Sequence, residues 1–214
     1  MQKKLILTTT IIIIAFVLIA MAAFIDSYTS SEVEKAFTDN EIVPDILNAS
    51  PKKIINVSYP SGVTVSLGNE LTPTQVKDVP QVSWKAENGA YYTLLMTDPD
   101  APSRVSPTFR EVRHWLIFNI LESDITSGEE VFEYRGSGPP KGTNLHRYIF
   151  LVFKQPGIIQ HTEPHVSNKS RANRFMTSVS ELLKKYNLGD PEFGNFFQAQ
   201  YDAYVDIIQA QSTE

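Results

Sequence analysis

Two loops concentrate the residues of this chain that can hold an anion: Asp98-Pro99-Asp100-Ala101-Pro102-Ser103-Arg104 and Gly136-Ser137-Gly138-Pro139-Pro140-Lys141-Gly142-Thr143. Glycines let successive backbone N–H groups turn toward one point, and prolines fix the loop around them. Such a turn forms an anion-binding concavity. A histidine follows each loop at the mouth of an apolar strand, His114 after the first and His146 after the second. Each adds a donor that becomes cationic near neutral pH. The chemistry expected is capture of a small, phosphate-like anion.

Each of these residues also has a plainer reading. Taken alone, Asp98 and Asp100 are Asx-turn residues bonding their own backbone, and His114 and His146 are core histidines. The strand pattern brings them together. Residues 91–97 are aromatic and branched and close on Asp-Pro, which reads as a strand ending in a turn. Residues 114–120 form the next strand, apolar on both faces. Antiparallel pairing places Asp98 beside His114. A weaker strand, 130–134, returns to the same end, and residues 146–153 descend from the glycine loop as the next strand of a meander. Residues two apart share a strand face, so His146 and Tyr148 point the same way. Asp98, His114, His146, Tyr148 and the glycine loop are therefore expected at one sheet end. Arg104, Arg110 and Arg113 are either solvated or brace the loop by pairing with Asp100 and Glu111.

Three blocks in order, residues 97–104, 110–115 and 136–155, resemble the phosphatidylethanolamine-binding protein family. Weaker likeness at 67–75 and 196–201 extends the resemblance over nearly the whole folded part, from about residue 41 to the C-terminus. It implies a mainly β fold of two antiparallel sheets with a few short helices, one of them C-terminal and near the pocket. It also implies a pocket for phosphoethanolamine, phosphate or acetate; no catalytic residue, cofactor or metal is expected. Matched by motif, the ligand-binding residues are Asp98, Asp100, Pro102, Phe109, His114, Gly136, Gly138, Pro139, His146 and Tyr148. The chain departs from the family pattern at three places. Phe109 stands where many members have tyrosine. Asn144 replaces a usual glycine, and Asn tolerates a positive φ. Gln209 takes the place of a pocket-lining tyrosine found in some animal members.

The N-terminus points to export. Lys3 and Lys4 precede an apolar run from Leu5 to Ile25, and Ala20-Met21-Ala22 supplies small residues at a cleavage site. Residues 1–22 read as a signal peptide, with an uncleaved signal anchor as the alternative because the run is long enough to span a bilayer. Residues 23–40 read as a polar, mobile lead-in, and 41–214 as a single domain. Three sequons, at Asn48, Asn56 and Asn168, are expected to carry glycans. The 214 residues contain no cysteine, so a core without disulfides must hold the exported domain.

Charge and spacing exclude several functions. Losing residues 1–22 removes two lysines and no acid, leaving 17 basic against 24 acidic residues and a net charge of −7. An acidic domain without a basic stripe is a poor nucleic-acid binder, and a large footprint on anionic membranes needs clustered Lys and Arg. His161-Thr162-Glu163-Pro164-His165 has a metal-ligand spacing, but Pro164 breaks the helix that would present it. Ser137 lacks nucleophile-elbow spacing. Two classes remain. One is an extracellular, monomeric binder of a phospholipid head group or other small amphiphile. The other is a protein-interaction regulator, either a serine-protease inhibitor or a signalling modulator. Helical stripes at Val179, Leu182, Leu183 and Tyr186, after a capping-box start at Ser178, and at Tyr201, Tyr204, Val205 and Ile208 read as core packing.

Overall fold

The computed structural model describes residues 28–212. The leader, whether signal peptide or anchor, lies outside these residues. The chain forms helix α1 (Ser30–Asp39), then strands β1 (Lys53–Ile54), β2 (Asn56–Ser58), β3 (Asn69–Glu70), β4 (Gln81–Ser83), β5 (Tyr91–Asp98), β6 (Val112–Leu121), β7 (Glu129–Phe132) and β8 (His146–Lys154). Helix α2 (Val179–Tyr186), strand β9 (Phe193–Ala199) and helix α3 (Tyr204–Ala210) complete it. Among the described residues no helix is long and apolar enough to cross a membrane.

The main sheet has seven strands in the order β1-β9-β8-β5-β6-β7, with β3 also on β9; β2 and β4 form a separate antiparallel pair. The mainly β expectation holds, with two corrections. The main sheet is mixed, because β1 and β3 run parallel to β9. The meander is also broken: β8 crosses over β7 and pairs with β5. That crossover is forced by the core. Every residue of β8 before Lys154 is buried, so the strand needs a partner on both edges and cover on both faces.

Alternation along β8 divides that core. Tyr148, Phe150 and Val152 join Trp84, Trp115 and Phe197 on one face, beneath the β2–β4 pair. Ile149, Leu151 and Phe153 join Phe118 and Phe196 on the other, beneath α1 and α2. Residues 30–39 are therefore no mobile lead-in. Thr29 caps α1 with a full capping box to Glu32, and Val33 and Phe37, one turn apart, are buried. Ser178 accepts from the Glu181 N–H and starts α2; Asn187, in the left-handed region at φ 51°, ends it. The expected turn at Pro60-Ser61-Gly62 is present, with Gly62 at φ +88° and Tyr59 and Val63 bonded across it.

Candidate functional site

The C-terminal end of β5 and the N-terminal ends of β6 and β8 meet at one edge of the main sheet, which buries Asp98, His114, His146 and Tyr148 together. Asp98 closes the expected Asx turn, but its register partner is Val112 and its hydrogen-bond partner is His146, not His114. One carboxylate oxygen accepts from the Asp100 N–H, closing an Asx turn at 2.7 Å; the other lies 3.0 Å from His146 Nδ1. His146 Nε2 lies 3.0 Å from the Thr143 hydroxyl, whose own hydrogen goes to the Pro140 carbonyl. Thr143 therefore accepts from His146, and the carboxylate can only accept, so both ring nitrogens carry hydrogen. Burial opposes that charge, yet the Asp98 and Asp100 carboxylates hold the His146 pKa above its ordinary value. Below that raised pKa His146 is an imidazolium whose two donors are committed to Asp98 and Thr143.

His114 differs from its expected character. The β5–β6 register runs Met96 opposite Trp115, then Thr97 opposite Arg113. His114 is thus the extra residue of a β-bulge, the device that re-aims a side chain at a sheet end. Its ring meets Tyr148 edge-on at 5.2 Å. Nδ1 lies 2.8 Å from the Arg135 carbonyl, which accepts only, so Nδ1 carries the hydrogen and Nε2 keeps its lone pair. Burial pushes the His114 pKa down to about 4, outweighing the Asp98 carboxylate and the Arg135 carbonyl, which favour protonation, while the Arg174 and Arg135 charges oppose it. At neutral pH the ring is uncharged.

The glycine loop runs beside these rings. His146 stacks on Tyr148 at 6.4 Å, and Tyr148 on Phe197 at 5.1 Å. The Ser137 hydroxyl is buried with no hydrogen-bond partner among the described residues; the buried Tyr148 hydroxyl makes no well-formed one either, although the Asp98 carboxylate and the Gly138 backbone approach it. Burial, then the Asp98 carboxylate, holds the Tyr148 phenol far above its ordinary pKa, so it is a neutral donor. Gly136 and Gly138 do not have positive φ; in this loop that belongs to Gly142, followed by Asn144 at φ 62°. Their requirement is space. A Cβ on Gly136 would stand 2.8 Å from the Val76 carbonyl oxygen, and one on Gly138 would stand 3.0 Å from Ile208 of α3. Pro139 is buried behind them.

On the outer side of Gly136 the surface opens into a cavity of about 150 Å³, walled by Tyr134, Tyr204, Ile208 and Gln211, with Lys77, Arg135, Asn168 and Lys169 completing it. The second helical stripe is thus divided. Val205 is core, whereas Tyr204 and Ile208 face the cavity. Gln209 is exposed and lines nothing here.

Residues 61–197 match the family model described as phosphatidylethanolamine-binding protein. The chain belongs to the phosphatidylethanolamine-binding protein family. It is 33% identical over 173 residues to a Drosophila melanogaster protein named "Putative odorant-binding protein A5", covering 81% of this chain and 82% of the relative. A solution structure titled CG7054 is 46% identical, covers 81% of this chain and 99% of its own, and superposes with a TM-score of 0.67. A carboxypeptidase Y inhibitor, crystallised with its cognate proteinase, is 25% identical with a TM-score of 0.69, covering 80% and 96% of the two chains.

In this member of the phosphatidylethanolamine-binding protein family, not every candidate faces a ligand. Asp100 is fully buried and bound to Arg147, whose backbone N–H, Nε and Nη2 reach its two oxygens at 2.6–2.9 Å. Arg147 also donates to the Asn40 and Glu41 carbonyls and to Asp45. Asp100 therefore anchors the first loop from behind. Pro102 is half-buried beside His146. Phe109 is half exposed and packs on Phe175 at 6.5 Å. Neither bracing partner expected for the three arginines is used: Arg104 meets Glu41, Arg110 meets Asp45 and Arg113 meets Glu163. Arg147 and Arg174 were not singled out in the sequence. The signal was present in Arg147, a cation within an apolar strand, which burial obliges to find a carboxylate. Arg174 is buried and donates only to backbone carbonyls, among them those of His114, Arg113 and Glu133; no local pattern marks it.

Proposed function

We propose that the protein is an extracellular binding protein that holds the head group of a phospholipid, or another small anionic amphiphile, against Tyr148, Ser137, His114 and residues 136–139. The reading rests on the two buried hydroxyls of Tyr148 and Ser137, neither of which makes a well-formed hydrogen bond among the described residues. An unsatisfied buried donor costs about 1–3 kcal/mol, and phosphate oxygens accept from both. The lone pair left on His114 Nε2 complements the ammonium or hydroxyl end of such a head group. His146 acts behind this surface, positioning Asp98 and the Thr143 end of the loop. No bond needs to be made or broken, so the proposed role is a carrier's and not a catalyst's. The family's name and the odorant-binding name of the fly relative support a small-molecule ligand. Export is supported by the basic-apolar leader and by exposed Asn48 and Asn168.

Titration calorimetry with phosphoethanolamine tests the site. Tyr148→Phe should weaken binding about tenfold, the worth of one charge-assisted hydrogen bond. The ligand-free variant should lose little stability, because the deleted hydroxyl makes no well-formed hydrogen bond among the described residues and is only approached by Asp98 and the Gly138 backbone. Equal affinity in a folded Tyr148→Phe, or no binding by the wild type, would overturn the assignment. The similarity to the carboxypeptidase Y inhibitor supports a second reading, inhibition of a serine peptidase. That reading requires stoichiometric loss of peptidase activity with no lipid added.

A further inference from the structure

The sequon Asn168-Lys169-Ser170 lies on the wall of the cavity beside the glycine loop, and the protein holds it there firmly. Residues 167–170 form a tight turn, closed by the Ser170 N–H on the Ser167 carbonyl at 3.1 Å. The Asn168 N–H donates to the Glu133 carboxylate at 2.8 Å, and the Asn168 carbonyl accepts from Arg135 at 2.8 Å. Buried Arg174 donates to the carbonyls at both ends of the turn, Ser167 at 3.0 Å and Ser170 at 2.9 Å. The same side chain reaches the His114 carbonyl at 3.1 Å, so the turn is fastened to the bulged end of β6. Only the backbone of Asn168 is engaged. Its side-chain amide is exposed and makes no hydrogen bond among the described residues. That amide nitrogen, the atom an N-linked sugar bonds to, therefore stands on a fixed turn. Helix α3 supplies another wall. Tyr204 and Ile208 lie one turn apart on it, line the cavity and are only half-buried. The helix has seven residues, of which Val205 alone is buried. A helix this short is marginal by itself, so its protection depends on what covers it.

We infer that the first N-acetylglucosamine of a glycan on Asn168 covers this cavity, packing on Tyr204 and Ile208 and controlling access to the glycine loop from that side. A pyranose carries C–H groups on its faces and hydroxyls at its edge, so it covers apolar surface while staying wetted. A cavity of about 150 Å³ takes a guest of roughly benzene size. One sugar ring at its rim therefore closes it, and the outer sugars extend into solvent. The occupant is a modified residue of the protein itself. Gly136 belongs both to the cavity and to the proposed head-group surface. A cover at this place slows the entry and the exit of a head group together and changes affinity little. That consequence rests on the extracellular binding role proposed above. Asn48, the other exposed sequon residue, is not on this wall.

The full chain, secreted from a eukaryotic host that adds high-mannose glycans, tests this. Hydrogen exchange of residues 204–210 reads the cover directly, with no ligand present. Asn168→Gln removes the sequon and no hydrogen bond of the turn, so α3 should exchange about threefold faster or more. Asn48→Gln should exchange as the wild type does. An endoglycosidase that leaves one N-acetylglucosamine should preserve the protection, and a glycosidase that removes the whole glycan should abolish it. Stopped-flow binding of phosphoethanolamine to Asn168→Gln should be severalfold faster in association and dissociation alike. Equal α3 exchange with and without the Asn168 glycan would overturn the cover, as would a secreted protein that carries no sugar on Asn168. Faster exchange with unchanged binding rates would overturn the control of access. The enzymatic arms act on the folded wild type, so they decide the matter even when Asn168→Gln is not secreted. If the wild type binds no phosphoethanolamine, the head-group reading falls, and the exchange of α3 alone decides the cover.

Discussion

Replacing Asp98 by Asn tests whether the charge on His146 is held by this one carboxylate. The variant keeps an oxygen for the Asp100 N–H but loses the negative charge facing His146 Nδ1 at 3.0 Å. Both side chains are almost fully buried. Breaking such a pair costs about 3–5 kcal/mol when the remaining ion stays charged. Here the imidazolium can release its proton instead, so a loss of about 2–4 kcal/mol near pH 6 is expected. The pH dependence follows from the direction of the shift. A histidine whose folded pKa is raised stabilises the fold fully below its unfolded value of about 6.5, and loses that contribution as pH rises through the folded value. The gap between wild type and Asp98→Asn should therefore be widest near pH 6 and narrow steadily above neutrality. Urea unfolding at pH 6.0, 7.5 and 9.0 measures it, with linear extrapolation at each pH. A gap that is constant across the three values, or smaller than about 0.5 kcal/mol at pH 6.0, would refute the charged pair.

Glu111 offers a second pH test of opposite sign. Burial raises its pKa to about 7, although it accepts from the Val179 N–H at the start of α2 and lies near Arg110 and Arg113. A carboxyl that binds its proton more tightly when folded destabilises the protein as pH climbs from about 4.5 through 7. Glu111→Gln keeps the acceptor and removes the titration, so it should exceed the wild type by up to about 3 kcal/mol at pH 8 and match it near pH 4.5. Equal denaturation midpoints at pH 8 would show the side chain to be solvated. Glycosidase treatment of protein from a eukaryotic secretory host should reveal glycans at exposed Asn48 and Asn168. It should reveal none at Asn56, whose backbone pairs with Ser83 inside the β2–β4 sheet. Modification at Asn56 alone would contradict this order.

The long strands are legible in the chain because burial on both faces leaves little room for polar residues. Residues 91–98, 112–121 and 146–154 therefore stand out as apolar runs. Their convergence at one edge follows from antiparallel pairing, and the placement of Asp98, His114, His146 and Tyr148 agrees with it. What escapes is long-range accounting. Whether His146 has donors to spare depends on Thr143 and Pro140, and whether His114 is charged depends on burial and on Arg174, sixty residues away along the chain. The bulge at His114 is a register property and leaves no compositional mark. Arg147 takes Asp100 out of the pocket through a pairing that spans 47 residues. Helix α1 was recoverable. Thr29-x-x-Glu32 with Val33 and Phe37 one turn apart is a helix signature, masked by the polar residues around it.

The position of β9 in the sheet sets a timetable for biosynthesis. This strand spans residues 193–199, yet it lies between β8 on one edge and β1 and β3 on the other. Strands β1 and β3 therefore find their sheet partner only after residues 193–199 have been made, some 130–140 residues later. Until then β8 presents an open edge, and open edges recruit other strands. Contacts this distant along the chain are also slow to form. A nascent chain of this architecture carries an unfinished sheet until β9 emerges, and a chain that stops short of Phe193 never closes it.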